Sequence, residues 1–440
     1  MPVLPRCAPS AQATDARGIV AFLDAIDGVA GIEPHSLMLL RRGHVIAEGW
    51  WAPYTPEGLQ HLYSLSKSFT STAAGFAWAE GLLDLDAPVV SYFPELDSEI
   101  TNPRSRSILV RHIASMSAGH SSEQWDRALA ADYADPVRGF LLEPPDGTPG
   151  VTFAYSQSTT YTLGAIIQRV TGQTLTEFLR PRLFQPLGIE QAAWRQHPPG
   201  RDIGFAGLHT TTEAVAKATR AQVDNGDPRS GSDWTQGYGF QFWMARHGYR
   251  GDGAYGQFCV VLPEQDAVLT LTAETEDMQA VLDAAWTHLL PAFEGAAEDS
   301  AEADAALTRR LTGLRLPFPA GKEFAGGEFT ATRSVLPLLK QITLAPDALT
   351  LYESNGITTT LPLSTGSWPV SGHLAARAAQ TDADTVTVHL QLVRTPHKLC
   401  FSCDLRTGMF EVEWRTTPLG ERRDDTPLSA FADPGSANVS

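Results

Sequence analysis

Basic residues are scarce in this chain: 33 Lys and Arg stand against 50 Asp and Glu in 440 residues, a formal net charge of −17. Nucleic acid and anionic membrane are thereby excluded as expected partners, because both reward clustered cations. Cysteine is scarcer still, with four scattered residues, Cys7, Cys259, Cys400 and Cys403. They supply neither a disulfide framework nor a zinc site. Cys400 and Cys403 spell C-x-x-C, but in a strand-like run positions three apart face opposite sides and cannot form a redox pair. No apolar run approaches the roughly 18 residues of a membrane helix, and residues 1–18 carry no apolar signal core. A cytoplasmic protein without a membrane partner is the expectation.

What is present is an ordinary globular composition, 43% hydrophobic and 19% charged, at a length that favours two domains. Apolar positions Ile19, Phe22, Leu23 and Ile26 have helical spacing. Residues 36–51 read as strand, Arg-Gly turn and strand, a hairpin that leads toward Ser64. Helical and loop-rich sequence follows to about Gly200, then β-rich segments at 237–245 and 258–272 and a helix over 278–293. Strands at both ends with helices between them predict an antiparallel sheet built from distant parts of the chain and flanked by a helical subdomain, an α+β fold. Residues 294–305 are acidic and poor in apolar residues and read as a linker. Beyond them, short alternating runs at 349–351, 358–363, 385–393, 399–405 and 411–414 predict a small all-β domain over 306–440, ending in a disordered tail.

The chain's chemistry centres on Tyr63-Ser64-Leu65-Ser66-Lys67-Ser68-Phe69-Thr70. In a helix, Ser64 and Lys67 lie one turn apart on one face. A serine at a first helical turn has amide N–H groups and a dipole that favour an oxyanion. Lys67, desolvated against apolar neighbours, would lose pKa and accept the serine proton. This is the nucleophile-and-base arrangement of covalent acyl transfer. S-x-x-K alone arises by chance about once per 400 positions, so its company decides.

Two further segments keep that company. Phe153-Ala154-Tyr155-Ser156-Gln157-Ser158 precedes an apolar-periodic helix. A tyrosine there can lie over a serine nucleophile and, beside a cationic lysine, lose enough pKa to shuttle protons. Arg250-Gly251-Asp252-Gly253-Ala254-Tyr255-Gly256 leads into a strand, and its glycines permit close backbone approach to a ligand.

Taken in order, these segments resemble the serine β-lactamase and penicillin-binding-protein superfamily, in particular its class C-like branch of esterases, D-amino-acid peptidases and 6-aminohexanoate-oligomer hydrolases. Ser64 to Lys67 is similar to its S-x-x-K. Residues 80–86 resemble the helix end after the nucleophile, 112–120 its "HLLSMTSG" segment, and Pro186-Leu187-Gly188-Ile189 its "PLGM". The resemblance covers about residues 15 to 293 and implies a hydrolase domain over 1–293. It also implies Ser64 as acylated nucleophile, Lys67 as proton acceptor and Tyr155 as the tyrosine of Y-x-N. Gln157 replaces the Asn, which puts its usual contact to Lys67 in question. The strand motif, commonly Lys-Thr-Gly or His-x-Gly, falls on Gly251-Asp252-Gly253, and Ala254 stands where the second oxyanion N–H is expected. A glycine and an acid replace the cation and hydroxyl that hold a substrate carboxylate, and on a strand Arg250 points away from the face of Gly251.

The expectation is therefore a serine hydrolase that cleaves a small uncharged or cationic ester or amide, an ester first, without metal or cofactor. A β-lactamase or DD-peptidase is the rival enzyme, and a catalytically weakened ligand-binding protein is the rival of another class. The oligomeric state is left open.

Overall fold

The computed structural model describes residues 4–219, 232–296, 298–318, 320–364, 366–419 and 426–432. The tail expected to be disordered falls mostly outside them, beyond 432.

A seven-stranded antiparallel sheet organises the first two thirds of the chain. It is built from β1 (Ile32–Arg41), β2 (His44–Trp50), β3 (Tyr238–Gly239), β4 (Phe242–Met244), β5 (Tyr249–Gly253), β6 (Gln257–Leu262) and β7 (Ala267–Thr275), in the order β2-β1-β7-β6-β5-β4-β3. The register pairs Leu37 with Leu271 and Leu39 with Leu269. All ten residues of β1 are buried because the sheet is covered on both faces. Its alternating side chains feed two cores: Leu37 and Leu39 meet α1 (Ala16–Ile26), while Met38 and Leu40 join the core of α2 (Ser66–Ala79) and the helical subdomain. The expected stripe of α1, Ile19, Phe22, Leu23 and Ile26, is fully buried.

The helical region inserted between β2 and β3 holds α3 (Gln157–Thr171). It also holds three short strands, Gln60–His61, Leu208–Thr210 and Ala192–Trp194, which form a separate sheet beside the nucleophile segment. Among the described residues no helix is long and apolar enough to cross a membrane.

The linker reading of 294–305 needs correction. Ser300–Thr312 is a helix, α4, whose Ala303 and Leu307 are buried in the core that also takes α1. The acidic first turn hid an apolar stripe at 303, 307 and 311 that continues past the segment. Downstream, nine strands between Gly327 and Trp414 form one sheet that curls until its edge strand Thr358–Pro362 meets Leu374–Gln380, a near-barrel around Phe329, Leu349, Val388, Phe401 and Val412. Cys403 lies in that core, whereas Cys400, half-buried on the opposite face, has its thiol pushed up to about 11 by burial. Trp368 and Ala375 extend into the core of α1 and β1. The buried Glu33 carboxylate of β1 accepts from Lys398 and from Arg415, at 2.6 Å for the latter. The β-rich part is thus packed onto the hydrolase-like part rather than tethered to it.

Candidate active site

Hydroxyl residues explain why α2 sits where it does. Ser66 Oγ accepts from Leu208 N at 3.1 Å, Ser68 Oγ donates to Gln241 O at 3.1 Å, and Thr70 Oγ1 donates to Gly204 O at 2.8 Å. The Ser/Thr-rich helix therefore fastens loops on two sides while Phe69, Ala73 and Ala77 fill the core. Ser64 lies in the 3-10 turn Tyr63–Leu65 that opens it. Tyr63, just before, has φ of 46°, a left-handed conformation that a bulky residue adopts only when its surroundings impose it.

Lys67 is buried, with 1% exposure. Its Nζ donates to Ser64 Oγ at 2.9 Å, Gln157 Oε1 at 2.5 Å and Phe205 O at 2.8 Å. Burial lowers its pKa to about 7, against the opposing pull of Glu123 and Asp252. A protonated amine satisfies all three acceptors. A neutral one keeps two donors, and because Gln157 Oε1 and Phe205 O can only accept, its lone pair is left for the Ser64 hydroxyl. Gln157 reaches Lys67 in place of Asn because it opens α3, where Glu123 Oε2 accepts its backbone N–H at 2.7 Å. Glu123 also accepts from Gln124 N, Trp125 N and Ser156 Oγ.

The Tyr155 ring lies 4.9 Å from Lys67 Nζ and stacks on Trp243 at 5.4 Å. The Ser64 side chain is near enough to act on its hydroxyl, pulling its pKa down. The expected fall in its pKa is reversed: burial, and then the nearby Asp252 carboxylate, raise it. A lysine that is itself neutral near pH 7 supplies little positive charge to stabilise a phenolate, so Tyr155 remains a hydroxyl donor.

Strand β5 completes the site. A Cβ at Gly253 would lie 2.1 Å from Leu62 O and 3.1 Å from Leu65 N, so this backbone closes directly on the nucleophile turn and carries Ala254 to its edge. Gly251 faces α2, where a Cβ would lie 2.4 Å from Leu65 Cδ1 and 2.6 Å from Ser68 Oγ. No side chain fits there. The position whose charge Lys67 and Tyr155 both sense is Asp252, one residue along. Asp252 is not a bare charge. Arg250, on the same strand face and fully buried, donates through Nε to its Oδ2 at 2.9 Å, and burial raises the Asp252 pKa. Ser64, Lys67, Tyr155, Gln157, Asp252 and the Gly253 backbone are thus brought together. Glu123, Phe205, Trp243 and Arg250 join them with no sequence signal beyond ordinary loop and strand composition. Among the described residues, no group of three or more His, Cys, Asp or Glu side chains is placed to hold a metal ion.

A serine on the turn before a helix, a buried lysine one turn on and a tyrosine two residues ahead of a second helix lie together beside a strand of the antiparallel sheet. The chain belongs to the beta-lactamase family, whose model matches residues 19–294. It is similar to a beta-lactamase of Escherichia coli (strain K12), 29% identical over 163 residues that cover 37% of this chain and 42% of the relative. A 6-aminohexanoate-dimer hydrolase of Paenarthrobacter ureafaciens is 28% identical over 217 residues, covering 46% of this chain and 55% of that one. The chain thus spans about half the length of these relatives. The solved structure of EstCE1, a hydrolase with promiscuous acyltransferase activity, shares the fold with a TM-score of 0.50 and 16% identity over 62% of this chain and 99% of that one.

Proposed function

We propose that the protein is a serine hydrolase that cleaves a small ester or amide through an acyl-enzyme on Ser64. The observation that carries this reading is the buried Lys67, with a pKa near 7 and a lone pair that only Ser64 can use.

The chemistry then runs as follows. Neutral Lys67 takes the Ser64 proton as Oγ attacks the carbonyl carbon. The carbonyl π electrons move to oxygen, and the N–H groups of Ser64 and Ala254 hold the resulting oxyanion. Collapse expels the alcohol or amine, which receives a proton from Tyr155; Tyr155 is reprotonated by the Lys67 ammonium. Water attacks the acyl-enzyme, Lys67 accepts its proton, and Ser64 Oγ leaves and is reprotonated. Every step uses protons already present, so no cofactor is invoked.

Near the scissile bond we favour a neutral ester, then an amide, because strand β5 offers no unpaired cation there and Arg250 is spent on Asp252. A side-by-side turnover screen of p-nitrophenyl butyrate, a D-amino-acid anilide, the 6-aminohexanoate dimer and nitrocefin tests this. Butyrate is expected to lead nitrocefin in kcat/KM by about 10²-fold, within what one unmatched charge produces. Equal rates would move a β-lactamase to the front. An active-serine phosphonate that labels Ser64 while no substrate turns over would instead mark a binding protein.

A further inference from the structure

A cavity of about 230 Å³ opens beside the nucleophile turn, at the junction of the two halves of the molecule. Tyr63, Trp125 and Phe205 form one wall, and Leu392, His397 and Phe431 of the C-terminal part form the other. Two of its lining residues neighbour the reacting groups: Tyr63 precedes Ser64, and the Phe205 ring lies 5.5 Å from Lys67 Nζ. It is smaller than the roughly 300–1,000 Å³ of a site for a whole drug-sized ligand, so it takes an arm of a substrate.

Arg195 lines this cavity. Both of its backbone groups are used, its N–H by Gly207 O at 3.0 Å and its carbonyl by Ile203 N at 3.1 Å. Its guanidinium is different. Nε is buried without a hydrogen-bond partner, and no carboxylate pairs with the side chain among the described residues. Three other arginines, by contrast, are matched, Arg250 by Asp252, Arg246 by Asp233 and Arg201 by Asp135. His61, which also lines the cavity, has a buried Nε2 with no partner. It is held neutral by burial, by its stack on His209 at 4.7 Å and by Arg195 itself. No Asp or Glu is among the described residues that line the space.

A buried guanidinium nitrogen without a partner, on a side chain without a counter-charge among the described residues, is costly and rarely kept. Here it lines a largely aromatic cavity beside the turn that carries Ser64, in a chain whose net charge of −17 would repel an anion in the absence of a local cation. We propose that Arg195, assisted by His61, binds a carboxylate carried on a short linear arm of the substrate, so that the enzyme takes esters or amides that are neutral at the scissile bond and anionic at the arm's end. This inference rests on the hydrolase reading for its chemistry but not for its binding. The guanidinium fork matches a carboxylate in geometry and charge, and the apolar walls pair with the methylenes between. The cation missing from strand β5 is thus supplied from another wall.

The experiment separates binding from turnover. Hexanoate and hexanamide are titrated calorimetrically into Ser64→Ala protein, which cannot react. Hexanoate is expected to bind at least about tenfold tighter; in Ser64→Ala with Arg195→Gln that preference should fall below about twofold, and Arg195→Lys should restore part of it. Equal affinities of the two probes, or a preference that survives Arg195→Gln in a variant of unchanged Tm, overturn the proposal. The comparison of the two probes on Ser64→Ala needs no change at 195, so a misfolded arginine variant does not blunt it. Turnover is then read on p-nitrophenyl hexanoate against the mono-p-nitrophenyl ester of adipate, with the adipate ester favoured and the ratio collapsing in Arg195→Gln. Arginine-dependent hexanoate binding without turnover of either ester supports the subsite and refutes the hydrolase reading. Turnover without preference for the carboxylate ester, together with equal probe affinities, does the reverse.

Discussion

Tyr63 Oη and His397 Nε2 lie 2.6 Å apart, joining the residue before the candidate nucleophile to one 334 positions away in the C-terminal β-rich part. His397 Nδ1 faces Thr416 O at 3.0 Å and donates to it, so Nε2 keeps its lone pair and the phenol donates. Tyr255 meets both rings, at 5.5 Å and 4.9 Å. A positive-φ tyrosine next to Ser64 is thus held by the C-terminal β-rich part of the chain. Tyr63→Phe removes the phenol's hydrogen bond to the buried His397 imidazole and is expected to cost about 1–3 kcal/mol of stability. A loosened nucleophile turn should lower kcat/KM by about 10- to 10²-fold. A double-mutant cycle with His397→Phe checks this, since shared loss is sub-additive.

Ser64→Ala is expected to lower turnover by on the order of 10³-fold or more, Lys67→Ala and Tyr155→Phe by roughly 10²-fold or more each. Because the two handle one proton in sequence, the double variant should lose much less than the product. A fully multiplicative result in steady-state kinetics would leave Tyr155 a packing residue.

The pH dependence has a definite sign. With a folded pKa near 7, Lys67 is protonated below that value and has no lone pair for Ser64. The pH profile of kcat/KM should therefore rise with an apparent pKa near 7 and plateau above it. Glu123→Gln withdraws a carboxylate that holds the Lys67 pKa up, and should move that limb to lower pH.

Rebuilding a basic residue at position 251 should fail. Even Gly251→Ala places a methyl 2.4 Å from Leu65 Cδ1, an overpacking expected to cost about 1–3 kcal/mol. Chemical denaturation measures it. Substitution of Asp252 instead changes the charge sensed by Lys67 and Tyr155 without that clash.

Glu274 sits in the buried cluster between the two parts, where burial and Glu33 raise its pKa to about 8 while Thr416 Oγ1 donates to it at 2.6 Å. An acid whose folded pKa is raised binds its proton more tightly when folded, so its contribution to stability falls as pH climbs from about 4.5 to 8. Tm should decline across that window in the wild type, and Glu274→Gln should flatten the decline.

Local chemistry determined much of this protein from the sequence alone. The stripe Ile19, Phe22, Leu23 and Ile26 can bury only as a helix face, and the hairpin over 36–51 and the S-x-x-K pair three residues apart are set by short-range geometry. The alternating runs after residue 349 also needed no partner to be read as strands. Tertiary structure decided what depends on distant segments. Leu374-Ala-Ala-Arg-Ala-Ala-Gln has helix-forming composition, yet it is a strand because ladders on both sides claim its backbone. The Lys67 pKa falls because Gln157 and Phe205, 90 and 138 residues away, help to bury its amine. Arg250 and Asp252 cancel one another only because strand β5 is buried on that face, whereas Arg195 has no carboxylate partner among the described residues. Charge in a sequence states what a residue carries; burial and neighbours, which only the folded chain supplies, state what that charge can do.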